Sequence, residues 1–219
     1  MIKLVNLSKS YNQKIVLDNV NLEIPAGTFT AISGDSGSGK STLLNIIGGL
    51  EPPTQGDIII DGKNIKELSR KEKINFYRKT IGIIFQGSYM DPQLTLKENI
   101  TLPGVFAGVK KSIRDAKAIQ LAEKLGISEQ LEQLPRESSG GEIERAAIAR
   151  ALLLNPKIIL AEEPTANLDP ANSQKVLRVL RNLCSELNIT IIVASHDILA
   201  SNFATKILTI ENNTVREAK

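Results

Sequence analysis

The sequence contains one cysteine, Cys184, and one histidine, His196, among 219 residues. A single thiol cannot close an intramolecular disulfide, which fits a reducing compartment. Cys184 lies on the apolar spacing Leu177, Leu180, Cys184, Leu187 of a predicted helix, so it reads as packed core rather than as chemistry. No apolar run approaches the roughly 18 residues that a membrane-spanning helix needs. The opening MIKLVNLSKSY lacks the long apolar segment and small-residue cleavage site of a signal peptide, and reads as a strand. There is no internal repeat and no low-complexity linker. A net charge of +3 is too small to argue for a nucleic-acid partner. What remains, 42% hydrophobic and 23% charged residues, is ordinary globular composition, and the length is enough for one sizeable core or one core with an inserted lobe.

The chain is punctuated by short strands at residues 2–7, 15–24, 28–33, 56–63 (closing in an Asp-Gly turn) and 81–85. A short helix, Ser41 to Ile47, is apolar nearly all round and is expected to be buried. Between Asp91 and about Leu154 the periodicity is helical: Ala118, Leu121, Ala122 and Leu125 share one face, and Gly126 marks a stop. Strand 158–161, helix 171–187 and strand 189–194 then alternate, and KILTIENNTVRE closes as a hairpin. Asp169-Pro170 has the form of an N-cap followed by the first helical residue. This order predicts an α/β fold with a mostly parallel sheet, an antiparallel β layer near the N-terminus and an inserted helical lobe.

GDSGSGKST, Gly34 to Thr42, contains G-x-x-x-x-G-K-[ST] between a strand and a helix. Gly34, Gly37 and Gly39 allow backbone N–H groups to turn toward an anion, and the helix start adds its positive dipole end. Lys40 is placed to reach β- and γ-phosphates, Ser41 to ligate Mg²⁺, and Thr42 to add a phosphate contact. A phosphate loop needs a second strand ending in a carboxylate, and IILAEEPT supplies Glu162 and Glu163. Alternation along a strand predicts that the two point to opposite faces, one toward Ser41 and the metal, the other toward the γ-phosphate and a water.

With these motifs in place the chain resembles, over essentially its whole length, the ATP-binding subunits of ABC transporters. The resemblance implies a P-loop NTPase core with a helical subdomain, in which residues 1–86 and 155–219 form the nucleotide-binding part and about 87–154 the helical part of one domain. It places Tyr11 against adenine, and Gly34, Asp35, Ser36, Gly37, Ser38, Gly39, Lys40, Ser41 and Thr42 around the phosphates. Gln86 takes the place of the Q-loop glutamine that senses Mg²⁺ and the attacking water, Glu163 that of the catalytic glutamate, His196 that of the switch histidine, and Asp169 that of the D-loop aspartate. Ser139, Gly140, Gly141 and Glu142 match the signature that closes the ATP site of a second copy. The implied cofactors are ATP and Mg²⁺, with Glu162 in the metal's outer shell.

Three positions depart from the family pattern: Ser138 for Leu, Glu142 for Gln and Glu162 for Asp. Ser139 and Glu142 also form a capping box, so the signature can start a helix and bind an anion with the same residues. Glu142 retains acceptors for ribose hydroxyls. The extra methylene of Glu162 carries its carboxylate roughly 1.5 Å further, which predicts either a compensating backbone shift or a sluggish ATPase. The resemblance implies a twofold homodimer on ATP binding, a separate transmembrane permease, and a cytoplasmic position on the inner face of the membrane. STLLNIIGGLEPPTQGDIIIDG and LTLKENITLPGVFAG are similar to the macrolide-exporter, lipoprotein-release and bacteriocin-export group. An importer ATPase for a small solute would share every catalytic residue. A non-transport ABC protein, or a regulatory binder that holds ATP without turnover, is a further alternative.

Overall fold

The computed structural model describes residues 1–218. The chain runs β1 (Ile2–Tyr11), β2 (Lys14–Ile24), β3 (Phe29–Ser33), α1 (Lys40–Ile47), β4 (Gln55–Ile60), β5 (Lys63–Asn64), α2 (Arg70–Thr80), β6 (Ile81–Ile84), α3 (Leu96–Phe106), α4 (Lys111–Leu125), α5 (Gly140–Leu152), β7 (Ile158–Glu162), α6 (Pro170–Leu187), β8 (Thr190–Ala194), α7 (Ile198–Phe203), β9 (Lys206–Glu211) and β10 (Thr214–Glu217). Two sheets result. An antiparallel layer has the order β2-β1-β4-β5, and a second sheet has the order β10-β9-β3-β8-β7-β6, parallel except for the β9-β10 hairpin. Both predicted tight turns take left-handed backbone at both central residues, Asp61-Gly62 and Asn212-Asn213, as the twist of a two-residue hairpin requires.

The central strands are buried on both faces, which is why they read as unbroken apolar runs. Along β7 the side chains divide by alternation: Ile159 and Ala161 join the cluster under α3–α6, while Ile158 and Leu160 join the cluster that α1 forms with the antiparallel layer. This sheet therefore separates two apolar compartments. The helical segment packs on one of them, with Ala118, Leu121, Ala122 and Leu125 all buried and Gly126 left-handed at the C-cap of α4.

Several boundaries differ from the sequence expectation. β1 continues past residue 7 to Tyr11, with register irregularities. The expected strand 56–63 is two strands divided by Asp61-Gly62. Cys184 is buried, but Leu187 is 45% exposed, so the core stripe of α6 stops one turn earlier. Helix α2 was not anticipated at all. Its residues, RKEKINFYRKT, carry five basic side chains and no continuous apolar stripe, although Ser69 and Glu72 close a complete capping box at its start.

Candidate active site

Because β3, β8, β7 and β6 are parallel neighbours, the loops that follow them leave from the same edge of the sheet. These loops carry residues 34–39, 195–197, 163–169 and 85–90, and such an edge is where open α/β sheets bind ligands.

The first loop ends at Gly39, which adopts φ 109° as the N-cap of α1 and supplies no side-chain cap. No acidic residue lies in the first turn. The leading N–H groups of α1 thus face outward without a side-chain acceptor, an anion-binding arrangement. Lys40 is 8% exposed, and its Nζ donates to the carbonyl oxygens of Gly34 at 2.7 Å and Asp35 at 3.0 Å. Gly34 cannot be replaced: its φ is 146°, and a Cβ there would lie 2.8 Å from the carbonyl oxygen of Ile210 and from Ser38 Oγ. Ser38 Oγ is itself buried without a hydrogen-bond partner. An unpaired hydroxyl, an uncapped helix start and an ammonium in one loop fit a polyphosphate. Among the described residues no three His, Cys, Asp or Glu side chains form a metal cage. One serine and one carboxylate suit Mg²⁺, which keeps water and phosphate oxygens as ligands.

Glu162 ends β7 in unbroken register, opposite Ala194. It follows Ile158 and Leu160 onto the face covered by α1, whose second residue is Ser41. The pairing of β7 with β8 shows no bulge at this position. Glu163 departs from the expectation of strand alternation. The strand has ended, and Glu163 sits at φ 43°, left-handed backbone. Its direction is set by the loop after β8: Glu163 N donates to the Ala194 carbonyl at 2.8 Å, Ser195 Oγ donates to Glu163 Oε2 at 2.8 Å, and His196 N donates to Oε1 at 3.0 Å. His196 Nδ1 lies 2.8 Å from the same Oε1, within hydrogen-bonding distance. The carboxylate is mostly buried and the imidazole largely exposed, at 12% and 67% exposure.

The remaining predicted residues occupy more varied surroundings. Tyr11 is exposed, donates its hydroxyl to Glu51, and has Lys9 Nζ at 4.8 Å from its ring centre. Gln86 is exposed just beyond β6. Ser139 caps α5: its Oγ accepts from Glu142 N at 3.4 Å, and Glu142 Oε2 accepts from Ser139 N and Oγ, both at 2.7 Å. Those hydrogen bonds from Ser139 hold the Glu142 carboxyl below its ordinary range. Gly140 and Gly141 abut Leu168 and Asn172 rather than the phosphate loop of their own chain. Asp169 caps α6 by accepting from Ala171 N and Asn172 N, each at 3.0 Å.

Sequence reasoning passed over Ser195, which ties Glu163 to the turn before α7, and Glu144. The signal for Glu144 was available: it falls with Ala147, Ile148 and Ala151 on the buried face of α5. A cavity of about 520 Å³, lined in part by Met1, Lys157 and Thr190, lies at the amino ends of the strands, away from these loops.

Comparison with known proteins bears on the chain as a whole. The family profile described as ABC transporter matches residues 17–166. The lipoprotein-releasing system ATP-binding protein LolD of Saccharophagus degradans is 39% identical over 96% of this chain and 94% of its own. The macrolide export ATP-binding/permease protein MacB of Rhodopirellula baltica is 38% identical over 99% of this chain and 33% of its own. Among solved structures, the dimeric post-hydrolysis state of the ATP-binding cassette MJ0796 bound to ADP and Pi superposes with TM-score 0.90 at 38% identity, over 100% of this chain and 98% of that one. The chain belongs to the ABC transporter family, as an ATP-binding cassette that hydrolyses ATP.

Proposed function

We propose that this cassette powers a separate membrane permease in the export or extrusion of a peptide, drug or lipid-linked cargo, from the inner face of the membrane. The names of the relatives LolD and MacB support that cargo class. No helix among the described residues is long and apolar enough to cross a membrane, so the permease is assigned to another chain or domain. The observation that carries the ATP-driven part of the reading is the convergence, on one sheet edge, of an uncapped helix start and a carboxylate held by hydrogen bonds.

In the proposed reaction Lys40 exchanges the carbonyls of Gly34 and Asp35 for β- and γ-phosphate oxygens, and the N–H groups at the start of α1 bind the same phosphates. Ser41, Gln86 and Glu162 would hold Mg²⁺, which when bound neutralises charge on the transferring group. Glu163 orients the attacking water and accepts its proton. His196 steadies Glu163 and the γ-phosphate from the other side. Tyr11 stacks on adenine. Two copies pair head to tail, and Ser139, Gly140, Gly141 and Glu142 of one close the nucleotide of the other, with Asp169 at the contact. Residues of about 87–154 act as the helical subdomain that passes the motion to the permease.

Two substitutions test this reading. Lys40→Ala should weaken nucleotide binding by about 10- to 100-fold, the worth of a charge-assisted contact, in a titration with a fluorescent ATP analogue. Unchanged affinity would remove the phosphate-loop assignment. Glu162→Asp should raise turnover, because β7 keeps an unbroken register up to the longer side chain and Mg²⁺ tolerates little misplacement. The check is kcat against Mg²⁺ concentration; superimposable curves would show that the site already accommodates glutamate. For the transport role, co-purification with a membrane protein of few spans and a large outer domain supports export. Co-purification with a many-spanning permease served by a soluble binding protein supports import.

A further inference from the structure

The loop after β6 is held in an unfavourable backbone conformation. Gly87, Ser88 and Tyr89 all have positive φ, at 78°, 59° and 34°; the last two are not glycines, and L-residues avoid this region. What holds them is α5. Ser88, 3% exposed, donates its hydroxyl to Glu144 Oε2, and Glu144 is 7% exposed. The Arg150 guanidinium donates Nη2 to the Ser88 carbonyl and Nη1 to the Tyr89 carbonyl at 2.8 Å, and Nη1 also lies 3.6 Å from Met90 Sδ. Glu144 and Arg150 are six residues apart, and both reach the loop that begins two residues earlier at Gln86. The second oxygen of Glu144 is buried with no hydrogen-bond partner. A buried carboxyl that leaves an oxygen unpaired is expensive. Its one hydrogen bond is to Ser88.

We propose that Glu144 and Arg150 are positioning residues: a two-point clamp from the helix that Ser139–Glu142 opens onto the loop that carries Gln86, so that the two move as one body. This rests on the reading of Gln86 as part of the nucleotide site. It adds residues that touch neither nucleotide nor water and that act through backbone they hold. The clamp also links the two halves of the proposed dimer site. Gln86 serves the nucleotide of its own chain, whereas the start of α5 serves the nucleotide of the partner, and Glu144 lies two residues beyond Glu142.

The test uses the full chain and three variants. Glu144→Ala removes the acceptor, Glu144→Gln keeps it, and Ser88→Ala removes the donor from the other side. Hydrogen exchange over residues 86–91 reads the clamp, and kcat against ATP affinity reads its role in turnover. Glu144→Ala and Ser88→Ala are each expected to speed exchange in 86–91 by about tenfold or more, as local opening becomes easier. Both should lower kcat by about tenfold with affinity within about twofold, as loss of positioning does. Glu144→Gln should retain protection and turnover, and the double alanine variant should be no worse than either single one. Unchanged exchange in Glu144→Ala, additive losses in the double variant, or equal losses in Glu144→Gln and Glu144→Ala would each overturn the clamp. Faster exchange with unchanged kcat would uphold the clamp and overturn the premise that Gln86 takes part in turnover.

Discussion

Glu163→Gln is expected to bind ATP as the native chain does and to lose turnover by about 10²- to 10⁴-fold, the range for removing a general base. The substitution suits the question because it leaves the surroundings nearly intact. The amide oxygen can occupy the position of Oε1, accept from His196 N as the carboxylate does, and stay beside His196 Nδ1. The amide nitrogen then faces Ser195 Oγ, which already accepts from Asp197 N at 3.1 Å and can turn to accept from the amide as well. What is lost is basicity alone. ATP should then remain bound long enough for the paired form to accumulate, so size-exclusion chromatography with ATP and Mg²⁺ should shift the variant from monomer to dimer, while phosphate release falls. A variant that releases phosphate at the native rate would show that Glu163 is not the base.

The second large effect is on stability. Burial raises the Glu144 carboxyl from an ordinary 4.5 to about 7, against the smaller opposing effects of the Ser88 hydroxyl and the Arg150 charge. The folded chain therefore binds this proton more tightly than the unfolded chain. Below about pH 4.5 both states are protonated and the group is neutral to stability. As pH rises through about 7, the folded state must either keep a proton that the unfolded state has released or bury a charge, and stability falls. At about 1.4 kcal/mol per unit, the loss by pH 8 is on the order of 3 kcal/mol. Glu144→Gln has no such group. Its unpaired amide takes the place of an unpaired oxygen, at a cost that is the same at every pH. Urea midpoints at pH 5 and pH 8 should therefore diverge, with the variant more stable than the native chain only at pH 8. Parallel midpoints at the two pH values would mean that Glu144 titrates near its ordinary value.

Where the fold was legible, the reason was periodicity. The parallel strands declared themselves as unbroken apolar runs because both faces are covered, and α4 declared itself through Ala118, Leu121, Ala122 and Leu125 because one face is. α2 was not legible by that route. Its half-buried Phe76 and Tyr77 are adjacent in sequence, and Ile74 is 50% exposed, so no helical spacing stands out. The phosphate loop was readable because its spacing is local. The surroundings of Glu163 were not, since alternation describes a residue only while the strand lasts. β7 ends one residue too early, and the groups that hold Glu163 lie more than thirty residues later, at Ser195 and His196. Glu144 shows the same limit, because its partner Ser88 is 56 residues away.

Lys40 has a consequence for kinetics. Its ammonium bridges the two carbonyls at the start of its own loop, so the loop keeps its shape before any nucleotide arrives. The lysine serves as a strut. On the proposed reading, an incoming triphosphate exchanges one set of Lys40 acceptors for another without first ordering this loop. Capture of ATP is then expected to depend on encounter rather than on ordering of this loop.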